Sequence, residues 1–262
     1  MTIPIQWALR RRMMMAVLGI DVAALSITYT GAHTDYGMVT MSDGARYRLL
    51  AFTASGTLSI EQPVNCEVCV VGGGANGDNG RREGGAGGAG AYLKTQSVSA
   101  YNGGSVVVGA GQGVSSIADV SVNAVSGKNG GTGAGGTTAG TGDGISKYPF
   151  EDTGYSLWAG KPHCAGGGQG VYKHGENGFT GGDGGTNGSN GYPRHNDSVS
   201  SPSGGAGGSY GGGVGGSHAS YNGGNATYYG SGAGGGGRRY PGGYYGGSGY
   251  QGIVYIRIPA IQ

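Results

Sequence analysis

Large aliphatic side chains and charged residues are both scarce in this sequence. Leu, Ile, Val and Phe account for only 41 of the 262 residues, below the share that a large enzyme core needs. Charged residues make up 11% and the formal net charge is +2. The chain therefore lacks the high net charge of a disordered protein, and it lacks the clustered basic residues that nucleic acid or an anionic membrane surface would require.

Cysteine is also rare, because three cysteines in a chain of 25.8 kDa cannot build a disulfide scaffold. Cys66 and Cys69 have the spacing of a zinc-ligand pair, with His163 and Cys164 as further candidates. On a β-strand, however, positions three apart face opposite sides of the sheet. We therefore expect buried, reduced thiols and no metal site. No apolar run approaches the ~18 residues that span a bilayer.

Glycine is present in large excess, with 66 residues, of which 5 precede residue 72 and 61 follow it. Collagen would need glycine at every third position and abundant proline, which 8 prolines and doublets such as Gly135-Gly136 do not provide. The glycines fall into seven clusters, at residues 84–90, 130–144, 166–170, 181–191, 204–216, 230–237 and 242–249.

The glycine clusters have two interpretations. Glycine-rich sequence commonly forms flexible linkers. Alternatively, the clusters form extended left-handed helices with three residues per turn, whose amides point outward and bond to neighbouring helices. Only glycine lets such helices approach closely enough. Because the clusters alternate with aromatic-rich inserts and are bracketed by strands, we favour the packed bundle.

Alternating apolar residues predict strands before the glycine-rich region. Residues 46–53 and 57–60 flank the turn signal Ala54-Ser55-Gly56, which predicts a hairpin. Residues 66–71 are a third predicted strand.

Further strands are predicted inside and after this region. Val98 and residues 106–108 lie on either side of Asn102-Gly103-Gly104, which is typical of two strands joined by a type I′ turn. Residues 252–259 alternate and form a closing strand. The glycine-rich region is thus predicted to begin and end at strands.

The N-terminal segment has the pattern of a short helix. Pro4 lies near the first turn, where it is tolerated. A secretory signal would also begin with Arg10, Arg11 and Arg12, but the apolar stretch after them is interrupted by Asp21 and no convincing cleavage site follows. The apolar residues that recur at helical spacing are Ile5, Leu9, Met13, Ala16 and Ile20.

Together these patterns predict a mainly β protein: a small β-sandwich-like base, a glycine-rich helical bundle of the polyglycine II type, and a short N-terminal α-helix. Residues 1–28 would be a docking segment. Residues 29–125 would form the β-rich base with the first glycine-rich insert. Residues 126–262 would form the glycine-rich bundle with aromatic loops and the closing strand 252–259.

No catalytic pattern stands out in the sequence. Residues 72–77 match the dinucleotide fingerprint G-x-G-x-x-G, but such matches are expected by chance at this glycine content, and no helix-forming sequence follows. In residues 181–186, Thr186 stands where a calcium-binding repeat requires aspartate. The five histidines share no catalytic spacing. We expect neither an enzyme nor a cofactor.

The inserts between glycine clusters carry the composition of a binding surface. Tyr, Ser, Asn and Gly with occasional Trp and Arg resemble an antibody paratope, and aromatic rings of this kind stack on sugars. Alternatively, the tyrosines cap the bundle or fill subunit contacts. The predicted receptor-binding residues are Tyr155, Trp158, Tyr172, Tyr192, Arg194, His195, Tyr221, Arg238, Tyr240, Tyr244 and Tyr245.

Several of these pieces, taken in order, resemble the glycine-rich domain of phage and prophage tail-associated proteins. The resemblance rests on residues 47–58, then Val68-Cys69-Val70-Val71-Gly72-Gly73-Gly74, residues 87–90 and 106–111, and residues 249–257. Residues 9–15 are similar to leaders of prophage-encoded virion proteins. A more distant similarity is to phage tail-fibre tip adhesins with stacked polyglycine II helices, and to the glycine-rich region of certain animal receptor tyrosine kinases.

The resemblance implies a non-enzymatic virion protein, a tail fibre or tail tip component that recognises the host surface. It would be made in the host cytoplasm and be present in multiple copies or as a homo-oligomer. Trp7, Arg10, Arg11 and Arg12 would contact other virion proteins, and the aromatic loops would bind a bacterial surface glycan or protein. The alternative is a purely structural virion part, such as a decoration or fibre-assembly element. A secreted matrix or ice-binding protein would require a true signal peptide.

Overall fold

A computed structural model describes residues 21–79, 85, 87–88, 90–122, 148–167, 207, 210–217, 222–239 and 242–260. The protein is mainly β, with one antiparallel sheet of eight strands and a separate two-stranded ribbon. Within these ranges the only helical element is the short 3₁₀ turn Pro149–Glu151, and no helix is long and apolar enough to cross a membrane.

The structure contains ten strands in the described residues. The strands are β1 Ile27–Tyr29, β2 His33–Thr40, β3 Arg46–Phe52, β4 Gly56–Val71, β5 Leu93–Val107, β6 Ser115–Ile117, β7 Val120–Val122, β8 Arg238–Arg239, β9 Gly242–Gly243 and β10 Ile253–Pro259. The main sheet has the order β2-β3-β10-β4-β5-β6-β7, with β1 also paired to β4. The ribbon consists of β8 and β9.

The closing strand, confirmed as β10, lies in the middle of the sheet. It pairs with β3 on one side and β4 on the other, so that Ile256 lies opposite both Leu50 and Val68. The predicted hairpin between β3 and β4 is therefore wrong, although both strands exist. The turn at residues 54–56 instead connects two strands that are not neighbours in the sheet. Phe52 before the turn and Leu58 after it pack into the same apolar cluster.

The second predicted strand pair is also wrong, because β5 is one continuous strand through Asn102-Gly103-Gly104. Gly103 and Gly104 have φ values of +116° and +145°, and the pairing with β4 shifts register between Ser59 and Val64. The strand stays paired with β4 on both sides of this irregularity. The glycine pair therefore bends the strand rather than reversing it.

Alternate residues of β4 face two separate apolar clusters. Cys66 belongs to the first cluster with Val68 and Val70, whereas Cys69 belongs to the second with Val71. The expected placement of the two thiols on opposite faces is confirmed. All three cysteines are buried and none forms a disulfide, and burial raises the pKa of Cys66 and of Cys69 to about 12.

Each face of the sheet is covered by a segment outside it. Val22 and Leu25 pack on the first cluster, so the end of the predicted docking segment belongs to the core of the sheet. Residues 148–165 cover the second face through side chains that include Phe150 and Trp158. The predicted helix, with Trp7, Arg10, Arg11 and Arg12, lies in residues 1–20, outside the described part of the chain.

Beyond β4, the described parts of the glycine-rich region are extended segments that bond to one another. Hydrogen bonds recur at every third residue: the amides of Gly85, Gly88 and Ala91 donate to the carbonyls of Gly236, Ala233 and Gly230 at 2.7, 2.6 and 2.7 Å. A neighbouring segment repeats the step, because Gly213 and Gly216 donate to Gly232 and Gly235. The bonds run between segments rather than along them.

Residues 229–237, which we name the central glycine segment, lie in the middle of this region. Residues 230–237 are all buried. Backbone hydrogen bonds connect the central glycine segment to six neighbouring stretches, whose described residues are 72–79, 85 with 87–88 and 90–91, 163–167, 210–217, 222–227 and 244–252.

Candidate recognition surfaces

The structure describes five of the predicted receptor-binding residues. These are Tyr155, Trp158, Tyr244 and Tyr245, together with the backbone of Arg238. The other six, Tyr172, Tyr192, Arg194, His195, Tyr221 and Tyr240, lie outside the described residues.

Trp158 is a core residue and does not form part of a recognition surface. It is 0% exposed, and its indole N–H donates to the carbonyl of Asp152 at 2.5 Å. Its ring packs edge-on against Tyr155 and Tyr255, with centroids 4.8 and 5.5 Å away. The prediction of a receptor contact at Trp158 is therefore wrong. The insert looks too polar for a core, but it folds over an apolar sheet face that needs covering.

Asp152 holds this covering segment in place. Its carboxylate accepts hydrogen bonds from the backbone amides of Gly154 and Tyr155, both at 3.1 Å, and from the amide and hydroxyl of Ser42. Burial opposes ionisation of the carboxyl group, but these hydrogen bonds outweigh it and lower the pKa of Asp152. The charge of Asp152 is thus satisfied within the protein.

Tyr244 and Tyr245 lie at the end of the glycine segments away from the sheet, which we name the distal end. Residues 72–79 leave the sheet at β4, and residues 244–252 return to it at β10. The amide of Gly246 donates to the side-chain oxygen of Asn79 at 3.0 Å, and that of Tyr245 to Asn222 at 3.2 Å. The β8–β9 ribbon connects the central glycine segment to Tyr244. Tyr245 is 71% exposed, so its ring is available to a partner.

A second group of aromatic residues lies where the glycine segments meet the sheet. The rings of Tyr210 and Tyr228 are 4.7 Å apart, those of Tyr228 and Tyr229 5.3 Å, and those of Tyr229 and Tyr250 5.6 Å. Burial, and to a smaller extent the electrostatic effect of Tyr36 on β2, raises the pKa of Tyr155, Tyr228 and Tyr229. We name this group the tyrosine surface: Tyr36, Tyr155, Tyr210, Tyr228, Tyr229 and Tyr250.

Of the tyrosine surface, only Tyr155 was predicted from the sequence as a binding residue. The available signal was that tyrosine immediately precedes glycine at Tyr210-Gly211 and Tyr229-Gly230. Gly211 has a φ of +97°, and a Cβ there would lie under 3.0 Å from the Cβ of Tyr228. This glycine therefore permits the close approach that brings Tyr210 against Tyr228.

His163 lies beneath the tyrosine surface and is 0% exposed. Its Nε2 is 3.0 Å from the hydroxyl of Tyr255, and its ring centroid is 4.9 Å from that of Tyr228. Burial lowers the pKa of His163 to about 3 and raises the pKa of Tyr228 to about 12. Burial also raises the pKa of Tyr255 well above its usual value. These groups are therefore uncharged at neutral pH.

The dinucleotide-like glycine pattern at residues 72–77 makes hydrogen bonds within the protein. The amide of Gly74 donates to the carbonyl of Tyr250 at 2.8 Å, and that of Gly77 to the carbonyl of Gly247 at 3.0 Å. Asp78 and Asn79, which follow the pattern, are not helical. The amides that would hold a pyrophosphate are thus occupied. In the described part of the chain, no group of three or more His, Cys, Asp or Glu could hold a metal ion.

Comparison with protein-family models, curated proteins and solved structures gave no match to this chain. A functional interpretation therefore depends on the two surfaces described above. Both consist of aromatic rings and backbone or side-chain amides, arranged around a scaffold of glycine segments and sheet.

Proposed function

We propose that this protein is a non-enzymatic virion protein of a bacteriophage, a tail fibre or tail tip component that contacts the host surface through its distal end. The sheet forms the base, the glycine segments form a rigid projection, and the distal loops carry the contact residues. The observation that carries this proposal is the three-residue spacing of the hydrogen bonds between glycine segments.

The glycine segments, in this proposal, are a bundle of polyglycine II-type helices. Such helices have three residues per turn and no internal hydrogen bonds, so donors to one neighbour recur at every third residue. The bonds from Gly85, Gly88 and Ala91 have this spacing. A central helix in a hexagonal array has six neighbours, and the central glycine segment bonds to six stretches of chain within the described ranges. This regularity favours a rigid projection over flexible linkers.

The distal end carries residue types that suit recognition of a partner. Loops held by a rigid scaffold commonly carry binding residues, and tyrosine and asparagine supply rigid contact area and adaptable hydrogen bonds. Tyr245 is exposed there, and Asn222 holds its backbone. Tyr221 and Tyr240 are adjacent in sequence to Asn222 and Arg239, which flank the same end.

Attachment to the particle is proposed for residues 1–20. Trp7 and the arginines at positions 10–12 would bind other virion proteins, in multiple copies per particle, after synthesis in the host cytoplasm. This segment precedes Val22, the first residue of the sheet core along the described chain.

Adsorption of phage particles to host cells tests the proposal. The double variant Tyr244→Ala/Tyr245→Ala is compared with Val107→Ala, an exposed residue of β5 outside both surfaces. Truncating a stacked ring costs ~1–3 kcal/mol, so adsorption is expected to fall by about tenfold or more in the double variant, with unchanged thermal stability. Adsorption equal to that of Val107→Ala would contradict the proposed contact.

The alternative function, a structural part of the virion, predicts a different result for the same double variant. If the distal tyrosines make subunit contacts, the variant would fail to enter particles, and the few complete particles would adsorb normally. Quantifying the protein in purified particles beside the adsorption assay separates these two functions.

A further inference from the structure

The tyrosine surface is a site separate from the distal end. Three of its side chains are exposed in part, with Tyr36 at 40%, Tyr210 at 43% and Tyr250 at 36%. Tyr228 and Tyr229 between them are half-buried and anchor the patch. An exposed aromatic patch of this kind commonly marks an interaction site.

The rings stand at steep angles to one another. The interplanar angle is 89° between Tyr210 and Tyr228, and 73° between Tyr229 and Tyr250. The exposed rings therefore present faces in different orientations rather than one flat layer. Such a stepped surface suits a ligand made of several small flat units joined by flexible linkages.

The chemistry of the tyrosine surface is uncharged. His163 beneath it is neutral, and the phenols of Tyr155, Tyr228 and Tyr229 have pKa values raised above their usual range by burial. The nearby carboxylate of Asp152 is fully engaged by Ser42 and its own loop. The six tyrosines themselves carry no charge at neutral pH, so a neutral ligand with apolar faces and hydroxyl groups would find both rings and phenol hydroxyls among these described residues.

The size of the patch favours a small ligand over a second copy of the chain. A tyrosine side chain offers ~150–250 Å² when fully exposed, so three rings at 36–43% exposure, with their half-buried neighbours, offer only a few hundred Å². A stable protein complex needs ~800 Å² from each partner. A few sugar rings would cover the patch completely.

We propose that the tyrosine surface binds a neutral oligosaccharide. The apolar faces of its sugar rings stack on Tyr210 and Tyr250, and its hydroxyl groups exchange hydrogen bonds with the tyrosine hydroxyls, including that of Tyr36. This site does not depend on the proposed function of the distal end, because the two surfaces share no residue.

Binding of the purified full-length protein to an array of neutral and acidic bacterial oligosaccharides tests this inference. The wild type is expected to bind neutral members of the array. The double variant Tyr210→Ala/Tyr250→Ala is expected to bind them about tenfold to a hundredfold more weakly, and Val107→Ala should bind as the wild type does. Tyr250→Phe, which removes only a hydroxyl, is expected to lose only a few-fold.

Several outcomes would overturn the inference: no binding to any neutral oligosaccharide, binding confined to acidic ones, or undiminished binding by the double variant. A change of oligomeric state in the double variant, measured by sedimentation, would show that a second copy occupies the surface. The distal variant Tyr244→Ala/Tyr245→Ala serves as a further arm. If it abolishes sugar binding while Tyr210→Ala/Tyr250→Ala does not, the sugar site lies at the distal end, which leaves the proposed function intact and this inference wrong.

Discussion

Glycine's missing side chain is what allows the segments to touch one another. A Cβ on Gly77 would lie under 3.0 Å from the carbonyl oxygen of Gly234, and a Cβ on Gly88 would lie equally close to the carbonyl of Ala75. Real Cβ atoms essentially never approach backbone so closely. A single methyl group at such a position must therefore push two segments apart.

Gly77→Ala is accordingly expected to destabilise the fold by ~1–3 kcal/mol, the usual cost of overpacking. Gly224→Ala is the less crowded comparison, because its Cβ would lie 3.1 Å from the nearest atom, the amide nitrogen of Val214, where a shift of a few tenths of an ångström relieves the contact and a smaller loss of stability is expected. Thermal unfolding measures both variants. Equal unfolding temperatures for the two would argue against close packing at Gly77.

The buried imidazole of His163 makes stability depend on pH. Its pKa is lowered to about 3 in the folded protein by burial, whereas an unfolded histidine titrates near 6.5. The unfolded state therefore binds a proton first as the pH falls. This residue's contribution to stability is complete above about pH 6.5 and is lost as the pH falls towards 3, with a slope of up to ~1.4 kcal/mol per pH unit.

Denaturant unfolding of the wild type and of His163→Gln between pH 4.5 and 6.5 measures this effect. Asp78 acts in the opposite direction, because burial raises its pKa to about 6, but it is present in both proteins and cancels in their difference. The stability advantage of the wild type is expected to shrink as the pH falls. If the stability difference between the two proteins stays constant with pH, His163 takes up its proton in the folded state as readily as in the unfolded state, which would contradict a lowered pKa.

Trp158 shows why residue roles were harder to predict than strands. Its insert mixes aromatic residues with charged and hydroxyl-bearing ones, which is typical of a loop. Nothing local indicates that Cys69, Val71 and Tyr255 leave an apolar sheet face uncovered. The tyrosine surface was missed for the same reason, since Tyr36 and Tyr210 are far apart in sequence. Burial depends on distant partners that a local pattern does not reveal.

Individual strands, by contrast, could be predicted from local alternation, but their partners could not. The alternation in β4 and β10 is visible in the sequence, and both strands are present. The pairing of β10 between β3 and β4 joins residues about 200 positions apart, as in Val254 with Phe52. The turn at residues 54–56 resembles a hairpin turn, because local sequence does not show whether the strands on its two sides pair with each other or with a third strand between them.

The predicted docking segment 1–28 includes residues of the fold, because Val22 and Leu25 are buried in the sheet core. Deleting residues 1–20 is expected to leave the thermal stability of the protein nearly unchanged while preventing its incorporation into particles. Deleting residues 1–28 would also remove Val22, Leu25 and most of β1, and is expected to lower the unfolding temperature strongly because two buried core side chains are lost. Circular dichroism and particle composition measure the two effects. Normal incorporation of the shorter deletion would place docking on the sheet.

Asparagines three residues apart complete the hydrogen bonding of the segment 244–252. Asn76 and Asn79 accept the amides of Gly249 and Gly246 at 2.9 and 3.0 Å, while the amide of Gly247 between them bonds to the backbone of Gly234. Asn225 likewise accepts the amide of Ser248 at 2.8 Å. Asparagine side chains thus satisfy amides of this glycine segment in addition to the backbone of its neighbours.

Asn76→Ala/Asn79→Ala is expected to speed hydrogen exchange at Gly246 and Gly249 while Gly247 stays protected. Each lost hydrogen bond should cost only ~0.5–1.5 kcal/mol, since both asparagines are exposed and water can replace them. Residue-resolved exchange by NMR measures this selectivity. Uniform acceleration across all three amides would mean that the whole segment opens together.

At the scale of the whole molecule, sheet and glycine region form one hydrogen-bonded structure. The central strands β4 and β10 lead directly into and out of the glycine segments, and Gly252 donates to Gly109 beside the sheet. Ordering a glycine backbone costs ~1–2 kcal/mol per residue, so the segments need anchors as well as hydrogen bonds. The tyrosines and the two-faced sheet core supply that anchoring where the two regions meet.

Native-state hydrogen exchange measures whether the glycine segments are a packed, hydrogen-bonded bundle. The relevant amides are those of Gly213, Gly216, Gly234, Gly236 and Gly247, each of which donates to the backbone of another segment. We expect these amides to exchange at least ~100-fold more slowly than in an unstructured chain, because they open only with a cooperative unit. Exchange of all five at random-coil rates would show that the segments are flexible linkers.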